Sequence, residues 1–286
     1  MSQAVHVGHA GRRPRPVRTA VVYVLVVALG LTIILPVVYG VLGGFKDTGQ
    51  LSTNGLGLPH PWVWSNYSDI LTSGLFWRQV ANSTLIAVGT ALIAVAAGAC
   101  AAFVFARFAF RGREFLAMLF AVGLMFPPAV AILPVFVLLR SFGLLDNPLG
   151  VILPQAAFFL PVTIIILRSF FRQIPREIEE AATMDGCSVF RFFWSILLPM
   201  ARPALATVSV LAIVTSWNNF FLPLVVFNNP DWWTIPVGLQ QFKTEYSTDY
   251  ARVLAYTVMA MVPALAFYAV AERQLIGGFT TGAVKG

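Results

Sequence analysis

From residue 172 to residue 203 the chain reads RQIPREIEEAATMDGCSVFRFFWSILLPMARP, its longest charged passage between two strongly apolar segments. Arg172, Arg176, Glu177, Glu179, Glu180, Asp185, Arg191 and Arg202 all fall within it. An ionised side chain costs about 2.5–3.5 kcal/mol at the centre of a membrane helix, so this passage is expected outside the bilayer and its neighbours within. Pro175 suits the first turn of a helix, where its missing N–H has no partner, and Glu177, Glu179 and Glu180 favour the positive helix start. Ile178, Ala181, Ala182 and Asp185 recur at helical spacing, which places the small alanine pair on one face open to close approach by another protein. Gly186 then permits a turn that a Cβ resists, and Val189 to Ile196 reads as a second short helix running into Leu197, Leu198 and Pro199.

Outward from this passage the composition is that of a membrane protein. Of 286 residues 58% are hydrophobic and 11% charged, far below the share of about 25% charged residues in soluble domains. No room remains for a large soluble catalytic domain. Cys100 and Cys187 offer neither a disulfide framework nor metal-ligand spacing. The histidines, His6, His9 and His60, lie in the N-terminal tail and a loop, which leaves no imidazole in an apolar segment for acid–base work.

Apolar runs long enough to cross about 30 Å of hydrocarbon occupy residues 19–42, 82–105, 115–139, 151–171, 204–227 and 253–271. Residues 1–18 form a basic tail expected to be disordered, 172–203 the charged loop, and 272–286 a C-terminal tail, with Glu272 and Arg273 stopping the last span. The fold class is therefore all-α, a polytopic protein with six transmembrane helices. Between the first two spans, Trp62, Trp64, Tyr67, Phe76 and Trp77 suit a membrane interface, and Ser65 is the expected N-cap of a short helix over 65–75. Pro127, Pro128 and Pro134 should bend span three, and Pro154 and Pro161 should interrupt span four.

The second candidate site is Ser216-Trp217-Asn218-Asn219 in span five. Hydrogen-bonding groups in hydrocarbon are expensive unless they face a neighbouring helix or a wet cavity, so these four are candidates for a translocation path. Fourteen of the nineteen Lys and Arg residues fall on the side that holds the charged loop and both tails. The bias puts that side in the cytoplasm. No G-x-x-x-x-G-K-S/T occurs, so the chain lacks the backbone cradle for ATP phosphates and any such energy comes from a partner.

Glu180-Ala181-Ala182, then Gly186 after three residues, then Ile196-x-Leu198-Pro199 after nine more, resembles the EAA loop of permease subunits from bacterial ATP-binding cassette importers. Trp217-Asn218-Asn219-Phe220, the MFPP of Met125 to Pro128 and the terminal GAVKG of Gly282 to Gly286 resemble the maltose-type carbohydrate branch, the similarity covering the chain after about residue 17. Asn219 departs from the acidic residue frequent there. The resemblance implies that Glu180, Ala181, Ala182, Asp185, Gly186, Ile196, Leu198 and Pro199 form a coupling helix and its anchor against an ATPase subunit. It implies that Gly282, Ala283, Val284, Lys285 and Gly286 reach between two such subunits, which bind ATP and magnesium while this chain holds no cofactor.

The implied partners are a second, related permease, two ATPase subunits, an extracytoplasmic sugar-binding protein, a sugar and the lipid bilayer, with no nucleic acid. The implied solute is a di- or oligosaccharide; a polyol, a glycerophosphodiester or a polyamine is the alternative. An intramembrane enzyme needs a nucleophile with its base or a metal cluster, and the spans hold neither histidines nor paired carboxylates. A passive channel leaves the coupling loop unexplained.

Overall fold

The computed structural model describes residues 16–244 and 246–283. His6 and His9, and Val284, Lys285 and Gly286 of the expected C-terminal contact, lie outside the described residues. The structure is 79% helical, and no strand occurs among the described residues. In chain order the helices are α1 (Pro16–Gly44), α2 (Thr48–Thr53), α3 (Ser65–Thr72), α4 (Gly74–Arg107), α5 (Arg113–Gly123), α6 (Pro128–Ser141) and α7 (Leu149–Gln173). They continue as α8 (Arg176–Met184), α9 (Val189–Phe192), a wide π turn at Phe193–Leu197, α10 (Leu198–Met200), α11 (Arg202–Trp217), α12 (Phe221–Val226), α13 (Ile235–Gly238) and α14 (Tyr250–Ala283).

Four helices are long and apolar enough to cross a membrane: Ala20–Gly44 of α1, all of α4, all of α7 and Tyr250–Phe267 of α14. The number rises to six when α5 with α6, and Val189–Met200 with α11, each count as one bent span. The stretch expected as one span at 115–139 is thus two helices at 98° to each other. Pro127 and Pro128 have no N–H to offer the carbonyls of Gly123 and Leu124, and Pro127 is extended, so the ladder stops there. Pro134, Pro154 and Pro161 sit inside helices that continue through them. Packed neighbours hold α7 on both sides, and a local loss of one backbone bond does not end it.

Other boundaries also move. The run at 204–227 is broken after Trp217, because the Asn218 amide donates to the Val214 carbonyl at 2.8 Å and the Asn219 side chain accepts from Leu222 N at 3.3 Å. Side chains that bond nearby backbone compete with the helix ladder. α4 begins at Gly74 rather than near 82, which takes Trp77 and Arg78 out of the preceding loop. α3 starts at Ser65, with Trp64 in the cap position and no side-chain cap, so Ser65 is not the N-cap. α14 runs past Glu272 and Arg273 to Ala283. Charge ends an apolar window, not a backbone hydrogen-bond ladder.

α4 is the spine, with α7 and α11 packed along it. Small residues make this possible: a Cβ on Gly98 meets Thr163 Cβ at 2.9 Å, and one on Gly89 meets Ile152 Cδ1 at 2.8 Å. Where lipid replaces water as solvent, such close backbone approach is the source of helix association. α1 packs on α14, and its side chains from Val21 to Tyr39 are otherwise exposed, as an apolar helix in lipid is. The main apolar cluster lies at one end of the bundle and joins Ala102, Phe103 and Ala106 of α4, Leu167 and Phe171 of α7, Ala182 of α8, Phe192 and Phe193, and Val208 of α11.

Candidate functional site

α8 is bound to the bundle by one face. Ala182 is buried, Ile178 packs beside it, and Glu177, Glu180, Ala181, Met184, Asp185 and Gly186 are exposed. The alanine pair is therefore split: Ala182 faces the core and only Ala181 faces outward. Adjacent residues on a helix lie about 100° apart, and the apolar i, i+4 pair of Ile178 and Ala182 claims the inner side. Gly186 has φ +75° and carries the reversal between α8 and α9. Ile196 and Leu198 are half-buried against the same cluster, whereas Pro199 is exposed. Pro199 also lacks the N–H that would bond Ser195, next to the wide turn at Phe193–Leu197. Met184, Phe190 and Trp194 add exposed apolar surface to this end of the molecule.

Two charged braces hold the platform. The Arg107 side chain at the end of α4 is 3% exposed. Its Nη2 donates to the carbonyls of Phe171 and Ile174, each at 2.9 Å, and its Nη1 lies 3.5 Å from Glu179 of α8. Outside it, Arg168 Nη2 donates to both carboxylate oxygens of Glu114 at 2.7 Å, with Arg113 and Arg172 nearby. Exposed pairs of this kind add little to stability, so the outer brace orders the corner more than it stabilises it.

Further along the same helices lies a cavity of about 550 Å³ between α4, α6, α7, α11 and α12. Phe158, Phe159, Phe220 and Phe221 supply aromatic faces, and Thr90, Gln155, Thr215, Ser216, Asn218 and Asn219 supply the polar groups. Among the described residues no ionised side chain lines it. Gln155 Oε1 accepts from the hydroxyls of Thr90, at 3.3 Å, and Ser216, while its buried Nε2 has no partner among the described residues. A buried donor in that state costs about 1–3 kcal/mol. Asn218 donates from its side-chain amide to Val214, and Asn219 accepts at Oδ1 from Leu222 N; among the described residues Asn218 Oδ1 and Asn219 Nδ2 make no further hydrogen bond. The rim thus offers acceptor and donor side by side, which is what a hydroxyl group needs.

Of the four residues read as a path, Ser216, Asn218 and Asn219 line this cavity. Trp217 does not; it packs against the cluster that contains Phe76 and Tyr256. Gln155 and Thr90 were missed in the sequence, although a lone amide amid the apolar residues of α7 carried the same signal as the asparagine pair. Gly282 and Ala283 are the end of α14. At the far end of the bundle, Phe45, Trp62, Trp64 and Tyr67 form one aromatic group, with Trp62 and Trp64 stacked at 6.0 Å. Lys46 is buried beneath it, its Nζ donating to the carbonyls of Asn54 and Gly55 at 2.8 Å.

Comparison with known proteins gives four further findings. A family model described as the binding-protein-dependent transport system inner membrane component matches residues 94–274, which include α8 and most of the cavity. The diacetylchitobiose uptake system permease protein NgcG of Streptomyces coelicolor is 34% identical over 268 residues, spanning 93% of this chain and 89% of that one. The arabinooligosaccharides transport system permease protein AraQ of Halalkalibacterium halodurans is 33% identical over 257 residues, 88% of this chain and 91% of that one. Among solved structures, a chain of a bacterial ABC transporter involved in import of the acidic polysaccharide alginate superposes with a TM-score of 0.76 at 26% identity, covering 90% of this chain and 96% of that one.

Proposed function

Since the chain belongs to the family of binding-protein-dependent transport system inner membrane components, we propose that it is the permease subunit that passes a neutral di- or oligosaccharide across a bacterial cell membrane. One observation carries the reading. The uncharged cavity and the braced α8 platform sit at different levels of the same two helices, α4 and α7, so a push on the platform moves the walls that hold the solute.

In this account α8 and the tail after Gly282 face the cytoplasm, as does the N-terminus. α8 rests in a cleft of an ATPase subunit, with Glu180, Ala181, Asp185 and Gly186 at the contact and Ile196, Leu198 and Pro199 as its anchor. Two ATPase subunits bind ATP and magnesium, a second related permease completes the pore, and a binding protein delivers the sugar from outside. The chain itself performs no chemistry; it supplies a path and a lever.

The cavity lining favours neutral sugar over charged alternatives. A polyamine or a glycerophosphodiester brings an ionised group into a low-dielectric site, and such a group needs a counter-charge there. Among the described residues this lining has none. Diacetylchitobiose and arabinooligosaccharides, named for the two relatives, present hydroxyls and apolar ring faces, which match amides and phenylalanines. The alginate importer handles an acidic polymer, and the proposed preference here is opposite in charge.

The test is a competition profile in vesicles carrying the complete transporter. Uptake of a labelled neutral oligosaccharide should fall with other neutral oligosaccharides and be untouched by a polyol, a polyamine or a glycerophosphodiester. Asn218→Ala and Asn219→Ala should reorder the competing sugars while the complex assembles normally. Competition by a polyamine overturns the neutral-sugar reading, and an unchanged order of sugars removes the two asparagines from the path.

A further inference from the structure

The Arg107 guanidinium occupies the point where α4, α7 and α8 meet. α4 ends at this residue, and α7 ends within two residues of the carbonyls it binds. The last carbonyls of a helix have no intrahelical partners and carry the negative end of the helix dipole. A cation brought from a neighbouring helix satisfies both needs at once. Having bonded Phe171 and Ile174 with one nitrogen, the planar fork turns its other nitrogen to Glu179, in the first turn of α8.

Apolar packing alone holds α8 against the bundle without fixing its position along the surface, because such contact has no direction. Ala182 and Ile178 pack into the cluster that holds Phe103 and Phe171 without a directional bond to it. A charge pair hung from two backbone carbonyls is fixed in place, and it attaches to the two helices that carry Thr90 and Gln155 of the cavity.

We propose that Arg107 is a positioning residue for transport: it latches α8 to the ends of α4 and α7, so that displacement of α8 is converted into displacement of the cavity walls. The inference rests on the reading that α8 docks on an ATPase subunit. Lysine does not replace arginine at this position, since an ammonium lacks the fork that serves two carbonyls and a carboxylate together.

The experiment uses the complete transporter in vesicles and reads solute imported per ATP hydrolysed, beside the amount of assembled complex. Arg107→Lys and Glu179→Ala should each lower that ratio by about fivefold or more, the range expected for loss of a coupling between sites. The double variant should be no worse than either single one, because both cut the same link. A residue that merely supports folding lowers the amount of complex and both rates together, leaving the ratio intact.

An unchanged ratio in the assembled variants overturns the proposal. Should Arg107→Lys yield no complex, Glu179→Ala decides alone, since it leaves both carbonyl bonds in place. Gly186→Trp separates docking from latching: if it too leaves the ATPase attached, the docking of α8 has failed, and if it releases the ATPase while the ratio holds in the other variants, only the latch has failed.

Discussion

Gly186→Trp is expected to abolish solute uptake and release the ATPase subunits while the chain itself remains folded in the membrane. The reason lies in two properties of the position. Gly186 has φ +75°, and a Cβ built there meets no atom of the described residues within 4 Å. The substitution therefore brings a backbone penalty of about 1–2 kcal/mol for the left-handed conformation, and its Cβ enters open space. Only a partner seated on the turn is struck by an indole. Gly186→Asn makes the matched control, because asparagine tolerates the same backbone region and adds little bulk. It should retain most uptake. Co-purification of the ATPase with the tagged chain, measured for both variants, checks the pair; normal uptake by the tryptophan variant removes Gly186 from the contact.

The second large effect is expected inside the bundle. Gly98→Leu should prevent recovery of a folded chain, and Gly98→Ala should lower its stability in detergent by about 1–3 kcal/mol, the usual range for overpacking. A Cβ at this position runs into Thr163, with both Cγ2 and Cβ of that side chain in the way. Thr163 is fully buried and β-branched, so neither atom can swing aside. Gly89 provides the comparison, since its Cβ meets chiefly the end of Ile152 at 2.8 Å, a methyl group that can rotate away. Gly89→Ala should therefore cost less. Melting temperatures of the two alanine variants decide the matter, and equal shifts contradict the account of α4 and α7 as a closely approached pair.

What the sequence could reveal followed from its sharpest contrasts. The charged passage amid apolar runs located α8, the pair of prolines marked the break after Gly123, and Gly186 fell where positive φ is required. Boundaries set by side-chain hydrogen bonds were not legible in hydropathy: the break after Trp217 depends on where the Asn218 and Asn219 amides point. Inner and outer faces of a short helix were equally hidden, because the split between Ala181 and Ala182 is decided by Phe103 and Phe171 from elsewhere in the chain. The cavity drew on the same cause. Gln155 was one polar residue in an apolar helix until α4 and α11 brought Thr90 and Ser216 to its side.

Arg107 illustrates the limit most clearly. In the sequence it is one of three basic residues in a loop and counts toward orientation; in the fold its side chain is buried, hydrogen-bonded to two carbonyls and ion-paired with a carboxylate. Nothing in its neighbours along the chain distinguishes it from Arg111.

The most direct measurement of the central claim follows one exposed residue of the platform. Met184 is 88% exposed at the end of α8. In a chain whose Cys100 and Cys187 are replaced by serine, Met184→Cys should react with a membrane-impermeant thiol reagent in inside-out vesicles, and adding the ATPase subunits should protect it. Labelling from the outer face, or labelling that the ATPase leaves unchanged, contradicts the account.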